Sequence, residues 1–273
     1  MIKFKPRSID RLNQNTPIVS GSEIDEYAAA ILSDYKPELL HEPGPINYLN
    51  FLENYLGLRI EYHDIYNEDE KQPILAMTAF EKTEVEIFNK EDECVDTIVV
   101  PKWTIVMDKY LLKKGKESME MFTGLHEGGH VLMHSHVFSR DAEWDSDYDE
   151  DGRLTPLVCC RKKNIERLIM SKKPRTAEQW REHQANYFAA AVAMPNATFR
   201  PFVYDFLREN DYYKTAITLG VNDDWDILAE DILPDAISET YGVSRTAARI
   251  KLVKAGFILD GGKPNRSRSR FDL

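Results

Sequence analysis

The chain has 273 residues, 42% hydrophobic and 30% charged, which is enough to bury the core of one large or two modest domains. Its longest apolar run, FAAAVAM at 188–194, is far too short to span a bilayer, and MIKFKPRSID has no apolar stretch behind its basic residues, against a signal peptide. The net charge of −11 is uneven: residues 244–273 hold eight Lys/Arg against two Asp, or +6, leaving −17 on residues 1–243, a balance that argues against broad nucleic-acid binding and keeps it open only at the basic end.

Helical signals come first along the chain. Ser22 followed by Asp25 reads as a capping box ahead of IDEYAAAIL. Pro45 then opens INYLNFLENYL and Gly57 closes it. From Leu58 to about Tyr110 the period shortens, and LRIEYHDI, ILAMTAF, TEVEIFN, DTIVV and WTIVMDKYL read as short strands between charged or Pro-containing turns. Helical periodicity returns from about Glu117 to about His136.

DAEWDSDYDED, with seven acidic residues between Asp141 and Asp151, reads as a solvated loop. A second long helix is expected from Thr176, whose side chain can cap while Gln179 returns the bond, to Met194, where Pro195 stops it. The remainder is mostly helical and ends in a Gly/Pro/Arg/Ser tail from Gly261, expected to be poorly ordered. Helices, then strands, then helices suggest an α+β fold. Cys94, Cys159 and Cys160 form an odd set with no pairing pattern, which points to a reducing, cytoplasmic setting.

The chemistry is concentrated in TGLHEGGHVLMH, residues 123–134. His126 and His130 are four apart, so on a helix they share one face and can share one tetrahedral metal ion. Glu127 is rotated next to them. This is the HExxH arrangement, in which the ion acidifies a water and the Glu takes its proton. Eight residues separate His134 from His126, about 12 Å of rise and about 80° of rotation, too much for one ion to bridge. His134 is therefore expected to pack or to cap the helix C-terminus. Gly128 and Gly129 interrupt this helix at about 1 kcal/mol each relative to alanine. Gly129 is expected to admit a closely approaching backbone or second helix; for Gly128 only tight packing or an easily deformed helix suggests itself.

A third ligand is sought in REHQANYFAAAVAMP, residues 181–195. Glu182 and Asn186 are four apart on one face of the second helix, so Glu182 can complete a two-His, one-Glu site while Asn186 bonds a ligand's other nitrogen or the Glu itself. His183 competes for the same role from about 100° around the helix. Tyr187 is one of several tyrosines that can serve a developing oxyanion.

HEGGH at 126–130 and EHQANYFAAAVAMP at 182–195 together resemble the ImmA/IrrE metallopeptidases, whose pattern joins an HExGH helix to a later Glu-x-x-Ala-Asn-x-Phe-Ala…Met-Pro helix. The resemblance extends over about residues 22–258, through ILAMTAF, WTIVMD and ISETYGVSRTAARIKLVKAGFI. Gly128 stands where that family has a bulky apolar residue, and Val192-Ala193 where Leu-Leu is common. The resemblance implies a zincin-like core, one zinc ion per chain on His126, His130 and Glu182, and Glu127 as catalytic base. It divides the chain into an N-terminal helical segment at 1–70, the peptidase core at 71–200, a helix-turn-helix-like subdomain at 201–258 and a basic tail at 259–273. It also implies a cytoplasmic endopeptidase acting on a helix-turn-helix repressor, with no membrane partner. A substrate strand would add to a sheet edge, for which WTIVMDKYL is the candidate. The alternative is a DNA-binding regulator that uses DAISETYGVSRTAARIKLVKAG as a helix-turn-helix, in which case Arg245, Arg249 and Lys251 stand exposed on one open face.

Overall fold

The computed structural model describes residues 2–69, 72–138, 157–162, 174 and 176–261. The acidic loop at 141–151 and all of the tail beyond residue 261 lie outside them.

A short antiparallel hairpin, β1 (Ser8–Asp10) and β2 (Thr16–Ile18), leads into helix α1 (Gly21–Tyr35). Its capping box lies two residues upstream of the expected one. Ser20 caps, its hydroxyl accepting from the Glu23 amide, and Glu23 accepts from the Ser20 amide at 2.8 Å. Helix α2 (Tyr48–Asn50) continues as a π-helical turn, Phe51–Tyr55. Asn47, two residues past Pro45, is its cap, and Gly57 ends it at φ +70°.

All five expected strands form: β3 (Arg59–His63), β4 (Ile74–Ala79), β5 (Thr83–Asn89), β6 (Cys94–Val100) and β7 (Thr104–Asp108). A further strand, β8 (Leu157–Arg161), joins them, and the main sheet runs β3-β7-β4-β8. The expectation that WTIVMDKYL offers a free edge is wrong. Strand β7 pairs in parallel with β3 (Arg59↔Thr104) on one side and antiparallel with β4 (Ala76↔Met107) on the other, so its backbone groups are used in both directions. Its run TIVM, buried at every position, is what a strand covered on both faces requires. Strands β5 and β6 form a separate hairpin.

One face of the sheet packs on the main core, where Ala76, Ile105 and Met107 meet Leu125 and Met133. The other face carries Met77, Ala79 and Val106, which close a smaller core with Val85 and Val100 of the hairpin. Neighbouring side chains on a strand point to opposite faces. Cys160 accordingly joins the main core and Cys159 packs against the smaller one, which is why the adjacent pair stays unbridged.

Helix α3 (Glu117–Phe138) lies at the centre, with every residue from Met121 to His130 buried. A helix enclosed on all sides needs small residues where neighbours come closest. A β-carbon at Gly128 would meet Leu52 Cδ2 at 2.8 Å, and one at Gly124 would meet Tyr48 and Leu52, so these two glycines make the groove in which the α2 segment lies. Gly129 faces the other way, towards helix α4 (Ala177–Ala193), where its β-carbon would stand 3.3 Å from the Ala185 backbone. Gly128 and Gly129 are thus packing devices on different faces of one helix. Thr176 caps α4 as expected, accepting from the Gln179 amide at 3.2 Å.

Beyond Pro195 come α5 (Asn196–Glu209), β9 (Ile217–Thr218), α6 (Asp223–Ile227) with a π-helical turn Leu228–Ile232, α7 (Leu233–Tyr241), α8 (Arg245–Lys254) and β10 (Ile258–Leu259), which pairs in parallel with β9.

Candidate metal centre

Because α3 and α4 pack side by side, His126 and His130 on one meet Glu182 on the other. The two Nε2 atoms are 3.1 Å apart, His126 Nε2 lies 3.4 Å from Glu182 Oε2, and His130 Nε2 lies 3.2 Å from Glu182 Oε1. Four ligands at zinc distances around one ion stand about 3.3 Å from one another along the tetrahedron's edges. The two imidazole nitrogens and the Glu182 carboxylate are therefore gathered closely enough for one such ion, one ligand atom from each lying within 4.8 Å of the others. The imidazoles are buried and Glu182 Oε2 is a buried oxygen with no hydrogen-bond partner, so the donor chemistry fits a divalent cation. Burial by itself would raise the Glu182 carboxyl; the adjacent imidazoles outweigh it and hold the group well below the usual carboxylate range.

Asn186, one turn along α4 from Glu182, accepts a hydrogen bond from His126 Nδ1 at 2.9 Å. That bond orients the ring so that Nε2 of His126 is turned towards Glu182. Glu127 is fully buried beside the cluster. Its Oε2 accepts from the Thr78 hydroxyl of β4, while Oε1 has no partner. Burial, opposed by His126 and Thr78, pushes its carboxyl up to about 7.

Cys160 belongs to the same neighbourhood, and sequence reasoning missed it. Its sulfur clusters with His126 and Glu127, and the thiol is a hydrogen-bond partner of His126. Burial pushes the thiol up to about 11, so it stays protonated. Nothing local in LVCCR announces this position, which depends on β8 pairing with β4 so that Cys160 lies opposite Ala76.

The other candidates fall elsewhere. His183 faces the rings of Trp180 and Tyr187 and is not part of the cluster. The Tyr187 hydroxyl donates to Asp25 at 2.9 Å, away from the donors. His136 bonds the Asn15 carbonyl at 3.0 Å. Of the two roles expected for His134, packing holds and capping does not: it is fully buried, and its ring nitrogens bond His130 and Gln184.

The C-terminal helix pair has the expected turn, with Gly242 in the left-handed region at φ +69° and Ser244 capping α8. Its basic side chains do not form an open face. Arg245 pairs with Asp231 at 3.1 Å, Arg249 pairs with Glu230 at 2.9 Å, and Lys251 is 8% exposed with Nζ 3.9 Å from Asp25. This is the arrangement of a helix packed on the body. No helix among the described residues is long and apolar enough to cross a membrane.

Residues 157–253 match the model of the Peptidase_M78 family, described as an IrrE N-terminal-like domain. That span includes Glu182 and begins beyond the HExxH helix. No curated protein matches the chain. Among solved structures, a Mycobacterium tuberculosis transcriptional regulator is similar at 12% identity and a TM-score of 0.39, over 84% of this chain and 46% of that one, so the chain spans under half of that protein's length. The part of the chain that carries Glu182 is thus similar to an IrrE N-terminal-like domain, and the sheet, its HExxH helix and the third donor on a separate helix have the architecture of a zincin-like core around a cluster that could hold a divalent cation.

Proposed function

We propose that His126, His130 and Glu182 hold one zinc ion per chain and that Glu127 is the catalytic base of an endopeptidase. The observation that carries this reading is that one ligand atom from each of the three residues lies within 4.8 Å of the others, the two Nε2 atoms being 3.1 Å apart with a Glu182 carboxylate oxygen 3.2–3.4 Å from each. Two imidazoles with one carboxylate are a donor set suited to zinc, and a fourth position remains for chemistry. When bound, the ion supplies Lewis acidity to the scissile carbonyl and acidifies water.

The protein's own groups handle the proton. Thr78 anchors Glu127 through Oε2, leaving Oε1 to take a proton from the attacking water and return it to the leaving amine. Asn186 keeps His126 oriented during the cycle.

The substrate class we infer is a helix-turn-helix repressor. The reading rests on the family resemblance, with support from the −17 carried by residues 1–243, which suits a basic, DNA-binding partner. The experiment is to incubate the purified chain with candidate repressors across a salt series, with metal content measured on the same samples. Cleavage that needs zinc and slows as salt rises is the expected result. Cleavage of unrelated unfolded proteins at the same rate would remove the repressor assignment, and a metal-free chain that still cleaves would remove the zinc mechanism.

A further inference from the structure

The zinc reading above gives no role to the third histidine of α3, which is fully buried. His134 Nδ1 lies 3.1 Å from His130 Nδ1, and His134 Nε2 lies 2.9 Å from Gln184 Oε1. Gln184 Nε2 in turn donates to the Pro17 carbonyl of β2 at 2.7 Å. Each of these side chains is buried, so water does not compete for the bonds.

The proton positions along this row follow from its far end. The Pro17 carbonyl only accepts, so the Gln184 group facing it is the amide NH2 and the group facing His134 is the carbonyl. His134 Nε2 must then carry hydrogen. In a neutral imidazole that leaves Nδ1 as the acceptor, so the hydrogen between the two rings sits on His130 Nδ1. His130 Nε2 is left with its lone pair, and this is the atom 3.2 Å from Glu182.

We propose that His134 is a positioning residue that fixes the tautomer and ring orientation of His130 through a relay anchored on Pro17. The inference rests on the zinc reading for its purpose, and on the hydrogen-bond geometry for its existence. It gives the two ligand histidines different supports: Asn186 for His126, and the His134–Gln184–Pro17 row for His130. It also ties the N-terminal hairpin to the metal centre. The same hairpin segment receives Arg181, which donates to Thr16 at 3.1 Å and to Gln14 at 3.2 Å.

The test uses the full chain and zinc alone. In the metal-free parent, nitrogen-15 NMR of the histidine rings should find hydrogen on His130 Nδ1 and on His134 Nε2; hydrogen on His130 Nε2 would overturn the proposal without any variant. Zinc affinity, measured by competition with a chromophoric chelator, is then compared between H134L and H134N. Leu and Asn have nearly the same shape, but only Asn offers an oxygen near the position of Nδ1. H134L should bind zinc roughly 10- to 100-fold more weakly, the usual cost of removing a group that orients a ligand, while H134N should stay within a few-fold of the parent. Equal loss in both variants would assign His134 to packing alone, and no loss in either would leave it without a role at the site. If the parent binds no zinc, or E182A binds it as well as the parent, the metal reading fails, and the tautomer measurement still decides the relay.

Discussion

Gly129 and Ala185 bring the two halves of the site together: a β-carbon at Gly129 would stand 3.3 Å from both the Cα and the carbonyl oxygen of Ala185. These contacts are with backbone, which cannot swing aside. The opposite glycine, Gly128, faces only the end of the Leu52 side chain and, farther off, that of Leu56.

The two glycines should therefore respond differently to alanine. Gly129→Ala gains helix propensity but forces α3 and α4 apart, with a net loss of about 1–2 kcal/mol. Zinc affinity should fall with it, since Glu182 and Asn186 move away from His126 and His130. Gly128→Ala should cost less, because only the end of the Leu52 side chain, and no backbone, has to shift. Denaturant midpoints of the two variants check this, and a reversed order would contradict the packing described.

Glu127→Gln should keep zinc content and folded stability while losing most peptide hydrolysis, because an amide cannot take up the proton at Oε1. The Thr78 hydroxyl still finds a carbonyl oxygen to donate to on the substituted side chain, so the fold has no reason to change. Metal analysis beside a cleavage assay is the measurement; near-parent cleavage would exclude Glu127 as the base.

Removal of the ion should be visible in stability. A ligand present at a thousandfold over its Kd adds about 4 kcal/mol to the folded state. A strong chelator should thus lower the Tm of the zinc-loaded parent and leave that of Glu182→Ala almost unmoved. Equal shifts in the two proteins would place the ion elsewhere.

Lys251 supplies a pH test far from the chemistry. Burial, partly offset by Asp25, pulls its amine down to about 8, against about 10.4 in an unfolded chain. Between those values the unfolded state binds more protons, so this group makes stability rise with pH across that window; below about 8 the penalty is constant. Lys251→Met should stabilise the protein at pH 7 by roughly 1–2 kcal/mol, after allowing for the lost contact with Asp25, and the advantage should shrink towards pH 10. Urea midpoints at both pH values measure it. A variant less stable than the parent at pH 7 would mean that the Asp25 contact outweighs the burial.

Much of this protein is legible along the chain. The strand periods between Leu58 and Tyr110, the Thr176 cap and the Pro195 stop are local, because a residue's own turn or pleat sets them. The i, i+4 spacing of His126 and His130 likewise puts two imidazoles on one face of α3 whatever surrounds it. What local pattern does not contain is which faces meet. That WTIVM lies inside the sheet, that β8 carries Cys160 to His126, that Gly128 opens towards Leu52, and that His134 reaches through Gln184 to Pro17 all depend on elements far apart in sequence. These contacts are fixed by how the buried surfaces fit one another, and close packing of α3 against the sheet, α2 and α4 selects them only when all are in place.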